Sequence, residues 1–209
     1  MGSGRFFQEV RVTEWARSQG VATAEVLALR VERTRWGLFE ADLMTREIEN
    51  ARDLLACLRP GPGRPPAVAE FGRTPVIRSV AALLRGMHEA GLDHPDLNLK
   101  NILLQRGTDG PCGYVIDLDR ASVKRPLARR RRVRSLARLY RSAEKLGCLG
   151  GEIRLGDCLR FIKYYSGEDR GLEQELRRLM RKGTVSLRLH RLFWRLTALL
   201  GEGRRPGKA

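Results

Sequence analysis

No lysine precedes Lys100, although the 209-residue chain carries 40 basic side chains against 24 acidic ones, a net charge of +16. The excess is mostly arginine. No apolar run approaches the roughly 18 residues a membrane-spanning helix needs. The opening Met-Gly-Ser-Gly-Arg-Phe-Phe lacks the hydrophobic stretch of a signal peptide. Together these absences predict a cytoplasmic protein. The four cysteines (Cys57, Cys112, Cys148, Cys158) have no metal-ligand spacing, so free, mostly buried thiols in a reducing compartment are expected. The charge alone admits nucleic acid, an anionic membrane face or a phosphorylated substrate. No aromatic ladder, zinc spacing or helix-turn-helix pattern supports nucleic acid, so no nucleic-acid partner is expected. A hydrophobic content of 42% excludes a disordered chain, and the length allows one domain with a real core or two small lobes.

What is present is concentrated between residues 92 and 120. His94-x-Asp96-x-x-x-x-Asn101 runs into the apolar Ile102-Leu103-Leu104. After the turn residues Gly107-Thr108-Asp109-Gly110-Pro111 come Tyr114-Val115-Ile116 and then Asp117-Leu118-Asp119-Arg120. The pattern predicts loop, strand, hairpin turn, strand and loop, with Asp96, Asn101 and Asp117 at one end of the hairpin. A polar hairpin with capped ends is the plainer reading. The chemical one is phosphoryl transfer, which asks a protein chiefly for positioning and charge neutralisation. One carboxylate must take or orient the proton of the attacking hydroxyl, a role that fits Asp96. A second carboxylate and an amide must hold magnesium against a triphosphate, a role that fits Asp117 and Asn101.

Around this stretch a helix is expected over 5–19, with Phe6, Val10, Thr13 and Arg17 near one stripe and Gly20 as its stop. Two strands are expected over 24–33 and 37–45, joined by Thr34-Arg35-Trp36-Gly37. A helix over 50–58 would be capped by Asn50, and another over 75–90 by Thr74 ahead of Pro75. The second carries Val76, Val80, Leu83, Leu84 and Met87 on one face and delivers the chain to His94; His88, near its end, is expected to pack or cap. Residues 124–146 form an amphipathic helix with a basic face and an apolar stripe of Val133, Leu136, Leu139 and Tyr140. That face is either simply solvated, a seat against anionic lipid or phosphorylated glycolipid, or a nucleic-acid surface. Further helices are expected over 156–165, 169–182 and 184–201, the last with Leu192, Phe193, Trp194, Leu196, Leu199 and Leu200 as core material, followed by a frayed tail.

The paired motifs His94-Pro-Asp96-Leu-Asn-Leu-Lys-Asn101 and Ile116-Asp117-Leu118-Asp119-Arg120 resemble the catalytic loop and metal-binding aspartate of the protein-kinase-like fold. Their wording is similar to that of the bacterial lipopolysaccharide kinases, most of all the 3-deoxy-D-manno-octulosonic acid (Kdo) kinases, over about residues 5–170. The resemblance implies an α+β, protein-kinase-like fold. Residues 1–48 would be a partial N-lobe (helix plus β-hairpin) with hinge, and 49–209 a mostly helical C-lobe. It implies ATP and Mg2+ as cofactors, Asp96 as base, and Asn101 and Asp117 as metal ligands. Asp119 would hold a second metal or brace the loop, and His94 would brace the loop beneath Asp117. Glu9 would be the helix glutamate that partners a strand lysine, and Glu47 and Ile48 would lie at the hinge against adenine.

Asn98 stands where serine and threonine kinases place a lysine, and no Ala-Pro-Glu segment follows Asp119, which argues against a peptide substrate. The acceptor implied is the 4-hydroxyl of Kdo on a lipid A precursor, met peripherally at the anionic inner membrane. A kinase of another small molecule is the alternative. Neither a glycine-rich loop nor an early lysine precedes Glu9. The expectation is therefore an N-terminally truncated member with a remnant N-lobe and little turnover, or a kinase-like binding module.

Overall fold

The computed structural model describes residues 4–181 apart from 62 and 64. The helix expected over 184–201 and the tail lie outside the described residues. Helix α1 (Gly4–Ser18) and strands β1 (Val26–Arg33) and β2 (Phe39–Thr45) fall close to the expected positions. Gly20, at φ +75°, stops α1, and the Val21 amide donates back to the Ala16 carbonyl at 2.9 Å. The buried face of α1 is Val12, Thr13 and Ala16, a correction to the stripe through Phe6, Val10 and Arg17. Apolar residues are scattered around this helix, so tertiary contact with β1 chose its face. β1 and β2 pair antiparallel with Val31 opposite Ala41, through a turn in which Gly37 N donates to Thr34 O at 2.9 Å. Gly37 takes the positive φ that this turn needs.

Asn50 does not cap a helix; it takes a left-handed φ of 56° in a turn. Residues Arg52–Asp53 form β3, pairing with the central hairpin, so α2 starts only at Leu54 and ends at Leu58. Asp53 is its N-cap, its carboxylate accepting from Ala56 N at 2.9 Å. A short α3 (Ala67–Glu70) precedes α4 (Arg73–Glu89). Gly72 rather than Thr74 flanks the start of α4, which puts Pro75 third in the helix. Proline is tolerated there because the first four helical amides have no intrahelical acceptor.

Val76, Val80, Leu84 and Met87 of α4 are buried as expected, and Leu83 packs at the margin. Each such side chain contributes about 1.5–3 kcal/mol by leaving water. After α4 come β4 (Leu92–Asp93), a 3₁₀ turn at Leu99–Asn101, β5 (Ile102–Gly107), β6 (Gly110–Val115) and β7 (Ser122–Val123). The sheet order is β3-β5-β6, and β4 pairs with β7. Ile116 leaves the strand that ends at Val115. α4 lies over β6 so closely that a methyl on Gly113 would stand 3.2 Å from Leu83. Helix α5 (Arg129–Lys145) begins five residues later than expected, because Lys124 is held by β4's turn through its amide to Gly91 O at 2.8 Å. α6 (Leu155–Ser166) and a helical stretch over 170–181 complete the core with Ile162, Tyr165, Leu172 and Leu176.

Candidate active site

The loop between β4 and β5 is pegged from below. His94, Leu97 and Leu99 are almost fully buried, so the intervening Asp96 is turned to solvent. Asn98 caps the 3₁₀ turn, its Oδ1 accepting from Lys100 N at 2.8 Å and its Nδ2 donating to Asp96 O at 2.8 Å. The Leu99 amide donates to Ser142 Oγ of α5 at 3.3 Å, so the helix behind the loop fixes its depth.

Asn101 joins the two motifs. Its Nδ2 donates to Asp96 O at 3.2 Å and to Asp117 Oδ2 at 3.1 Å, while its backbone carbonyl accepts from Ile116 N at 3.0 Å. It is 8% exposed, whereas Asp96 and Asp117 both face solvent. Hairpin register explains the meeting: Ile102 pairs with Val115, so Asn101, just before β5, and Asp117, two residues after β6, lie at the same end. Asp117 has φ +64°, unusual for a residue with a side chain, a conformation that tends to persist where the surroundings over-determine it.

The ring of His94 spans the same junction, Nε2–H donating to Ile116 O at 3.2 Å. Burial lowers its pKa, outweighing the upward pull of that bond and of Asp117 and Asp96. The ring is therefore a neutral brace at neutral pH, its one N–H committed to the Ile116 carbonyl. Arg120 completes the surface. Its guanidinium lies 3.5 Å from Asp96 Oδ2 and 3.9 Å from Asp119 Oδ2. Sequence reasoning gave Arg120 no role; its signal was adjacency to Asp117-Leu118-Asp119 within the same turn.

The structure brings Asp96, Asn101 and Asp117 together. Glu9 lies half-buried on α1, which packs against β1. Glu47 is exposed and Ile48 half-buried in the link from β2 to β3, where Ile48 O accepts from Ala51 N at 3.1 Å. The link is tied to the hairpin by Gln105 Nε2 donating to Glu49 O at 2.8 Å. Gln105 stands three positions beyond Ile102 along β5, about 10 Å of strand.

Magnesium prefers one or two carboxylates, with phosphate and water completing its six oxygens. A carboxylate and an amide in contact at one point fit that donor set, since the amide nitrogen is already committed to protein acceptors and leaves Oδ1 for a cation. Among the described residues no three His, Cys, Asp or Glu side chains converge as a metal cage. A separate apolar hollow of about 400 Å3, lined by Leu54, Val76, Leu99, Leu136, Phe161 and Met180, contains none of the three site residues.

The chain is similar to known proteins in sequence and in fold. The family model described as "Lipopolysaccharide kinase (Kdo/WaaP) family" matches residues 1–165. A 3-deoxy-D-manno-octulosonic acid kinase of Actinobacillus succinogenes is 30% identical over 162 residues, 77% of this chain and 63% of the relative. The namesake from Vibrio cholerae is 32% identical over 165 residues, 79% and 64% respectively. That from Xanthomonas oryzae pv. oryzae is 38% identical over 145 residues, 69% and 52%. The chain thus spans between half and two thirds of the length of these curated relatives. A solved structure of WaaP in complex with acyl carrier protein superposes with a TM-score of 0.59 at 26% identity, covering 84% of this chain and 75% of that one. The mixed helix-and-strand architecture agrees with a protein-kinase-like fold. The chain belongs to the lipopolysaccharide kinase (Kdo/WaaP) family.

Proposed function

We propose that this chain transfers a phosphoryl group from ATP to a sugar hydroxyl in lipopolysaccharide core biosynthesis, and that the acceptor is the 4-hydroxyl of Kdo on a lipid A precursor. The observation that carries the reading is the Asn101 amide joined at once to the Asp96 loop and to the Asp117 carboxylate. The names of the relatives supply the acceptor class.

Asp96, exposed on a pegged loop, takes the proton of the attacking hydroxyl at a carboxylate oxygen. Asn98 and Asn101, both bonded to the Asp96 carbonyl, fix the loop while that proton moves. Asn101 and Asp117 would hold magnesium, which supplies charge neutralisation to the phosphates. His94 keeps Ile116, and with it Asp117, in register. Glu9 would help position nucleotide from α1, and the backbone around Glu47 and Ile48 would meet adenine. The acceptor is an anionic glycolipid, so the site would work in peripheral contact with an anionic membrane face on the cytoplasmic side. Among the described residues no helix is long and apolar enough to cross a membrane.

The test is an ATP-dependent phosphorylation assay on a Kdo-bearing lipid A precursor, comparing the chain with Asp96→Asn. The variant should lose turnover by roughly two to four orders of magnitude while still binding nucleotide. Equal turnover in both would remove Asp96 from the chemistry. A second reading is nucleotide binding without transfer. Magnesium-dependent nucleotide binding with no product would favour it.

A further inference from the structure

We propose that Arg120 reads the carboxylate of the acceptor sugar acid, exchanging Asp96 for that anion when the acceptor arrives. The proposal rests on the kinase reading above and names how the same site selects its acceptor.

The solvent-facing surface of the site is acidic: Asp96 and Asp117 are exposed and Asp119 is half-buried beside them. An anionic acceptor approaching three carboxylates meets repulsion unless a cation stands among them. Arg120 is in ion-pair contact with two of the three, at 3.5 Å from Asp96 and 3.9 Å from Asp119. Both contacts are too long for a good charge-assisted hydrogen bond, which falls near 2.7–2.9 Å. They are also exposed, Arg120 at 61% and Asp96 at 50%, and exposed pairs of this kind add little to stability. Loose, wet pairing is a poor use of an arginine as a brace. It suits a guanidinium that must change partners.

The backbone beneath is fixed. Leu118 and Ala121 are buried on either side, and Ala121 N donates to Leu118 O at 3.0 Å, closing a turn that presents residues 119 and 120 outward. The base of the side chain is thus anchored while its tip lies in solvent. The planar fork of arginine matches a carboxylate in a two-pronged geometry that an ammonium cannot reproduce. Pairing with the acceptor's carboxylate would release Asp96 to accept the hydroxyl proton, so recognition and unmasking of the base are one event.

The experiment measures transfer by the full chain to two acceptors, 3-deoxy-D-manno-octulosonic acid and its neutral methyl ester, for the natural protein, Arg120→Ala and Arg120→Lys. With the acid, Arg120→Ala should raise KM by about 10- to 100-fold, the cost of one lost charged hydrogen-bond partner, with a smaller change in kcat. Arg120→Lys should recover part of that loss. With the ester, Arg120→Ala should show no loss against the natural protein and turn over at least as fast, since the feature that is read is gone and the substitution itself unmasks Asp96. Equal loss on acid and ester would mean that Arg120 only braces Asp96, and no loss on either would make the pair decorative; each result overturns the proposal. If the natural protein phosphorylates neither acceptor, the kinase reading is decided separately on the Kdo-bearing lipid A precursor. Direct titration then decides: acid binding that Arg120→Ala abolishes, with ester binding unchanged by the substitution, supports charge reading. Acid binding that is absent, or indifferent to residue 120, refutes it.

Discussion

His88 is fully buried at the end of α4, its Nδ1 sharing a 2.7 Å hydrogen bond with the Tyr165 hydroxyl on α6. Burial, and after it the positive charge of Arg132, lowers its pKa to about 3. In the unfolded chain the ring titrates near 6.5. Between those values the unfolded state binds a proton that the folded state refuses, so stability rises with pH across the window and falls as the solution is acidified. The penalty is absent above about pH 6.5 and deepens toward pH 3. Going from pH 7 to pH 5 should cost the natural protein about 2 kcal/mol more than His88→Gln, which keeps a polar partner for Tyr165 but has nothing to protonate. Urea denaturation at the two pH values measures it; parallel losses in both proteins would remove His88 as the source. Burial explains the thiols too: Cys57 and Cys158 are pushed up to about 11, so both stay protonated and unreactive at neutral pH.

The connection between α4 and the acid-bearing loop depends on one glycine. Gly91 has φ +86°, and a methyl there would meet Arg125 Cγ at 2.6 Å and the Lys124 carbonyl at 2.7 Å. It is closed in because Lys124 N donates to Gly91 O, clamping the turn before β4 against the strand that pairs with it. Gly91→Ala therefore combines a left-handed backbone with contact against main chain that cannot swing away, and should destabilise by about 2–4 kcal/mol. A shift in the denaturation midpoint checks this, and an unchanged midpoint would mean β7 yields easily. The same region shows what a single sequence carries. The hairpin was legible because Ile102-Leu103-Leu104 and Tyr114-Val115 are β-formers around an explicit turn, and the convergence of Asn101 and Asp117 follows from their places just outside the paired strands. Helix starts were less legible: Asn50 is an attractive cap, but β3 pairing with β5 is a long-range contact that hands the role to Asp53. The contact of Arg120 with Asp96 spans 24 residues and left no local trace.

At the scale of the molecule, the arginine excess divides into two populations. Some guanidiniums are struts committed to a partner: Arg131 reaches the buried Asp93 at 2.6 Å, Arg129 grips both oxygens of Asp169 at 2.7 and 2.5 Å, Arg73 pairs with Asp157 at 2.6 Å, and Arg125 lies over the Trp15 ring at 5.2 Å. The run 129–132 therefore contributes less free charge than its spelling suggests. Others face water. On α5, Arg130, Arg134, Arg141 and Lys145 are all exposed, and at 100° per residue they fall within a strip about 60° wide. A strip of four cations on one helix side is the arrangement an anionic lipid surface would attract, at about 1 kcal/mol per basic residue close to the membrane. The chain should therefore sediment with vesicles containing phosphatidylglycerol and not with phosphatidylcholine alone. Changing the four residues to glutamine should weaken that binding about a thousandfold, while four lysines in their place should retain most of it. The attraction should fade as salt shortens the screening length from about 10 Å at 0.1 M to about 3 Å at 1 M. The glutamine variant should still unfold at the natural protein's denaturant midpoint, because none of the four is among the struts named above. Undiminished vesicle binding by that variant would return the strip to an ordinary solvated face.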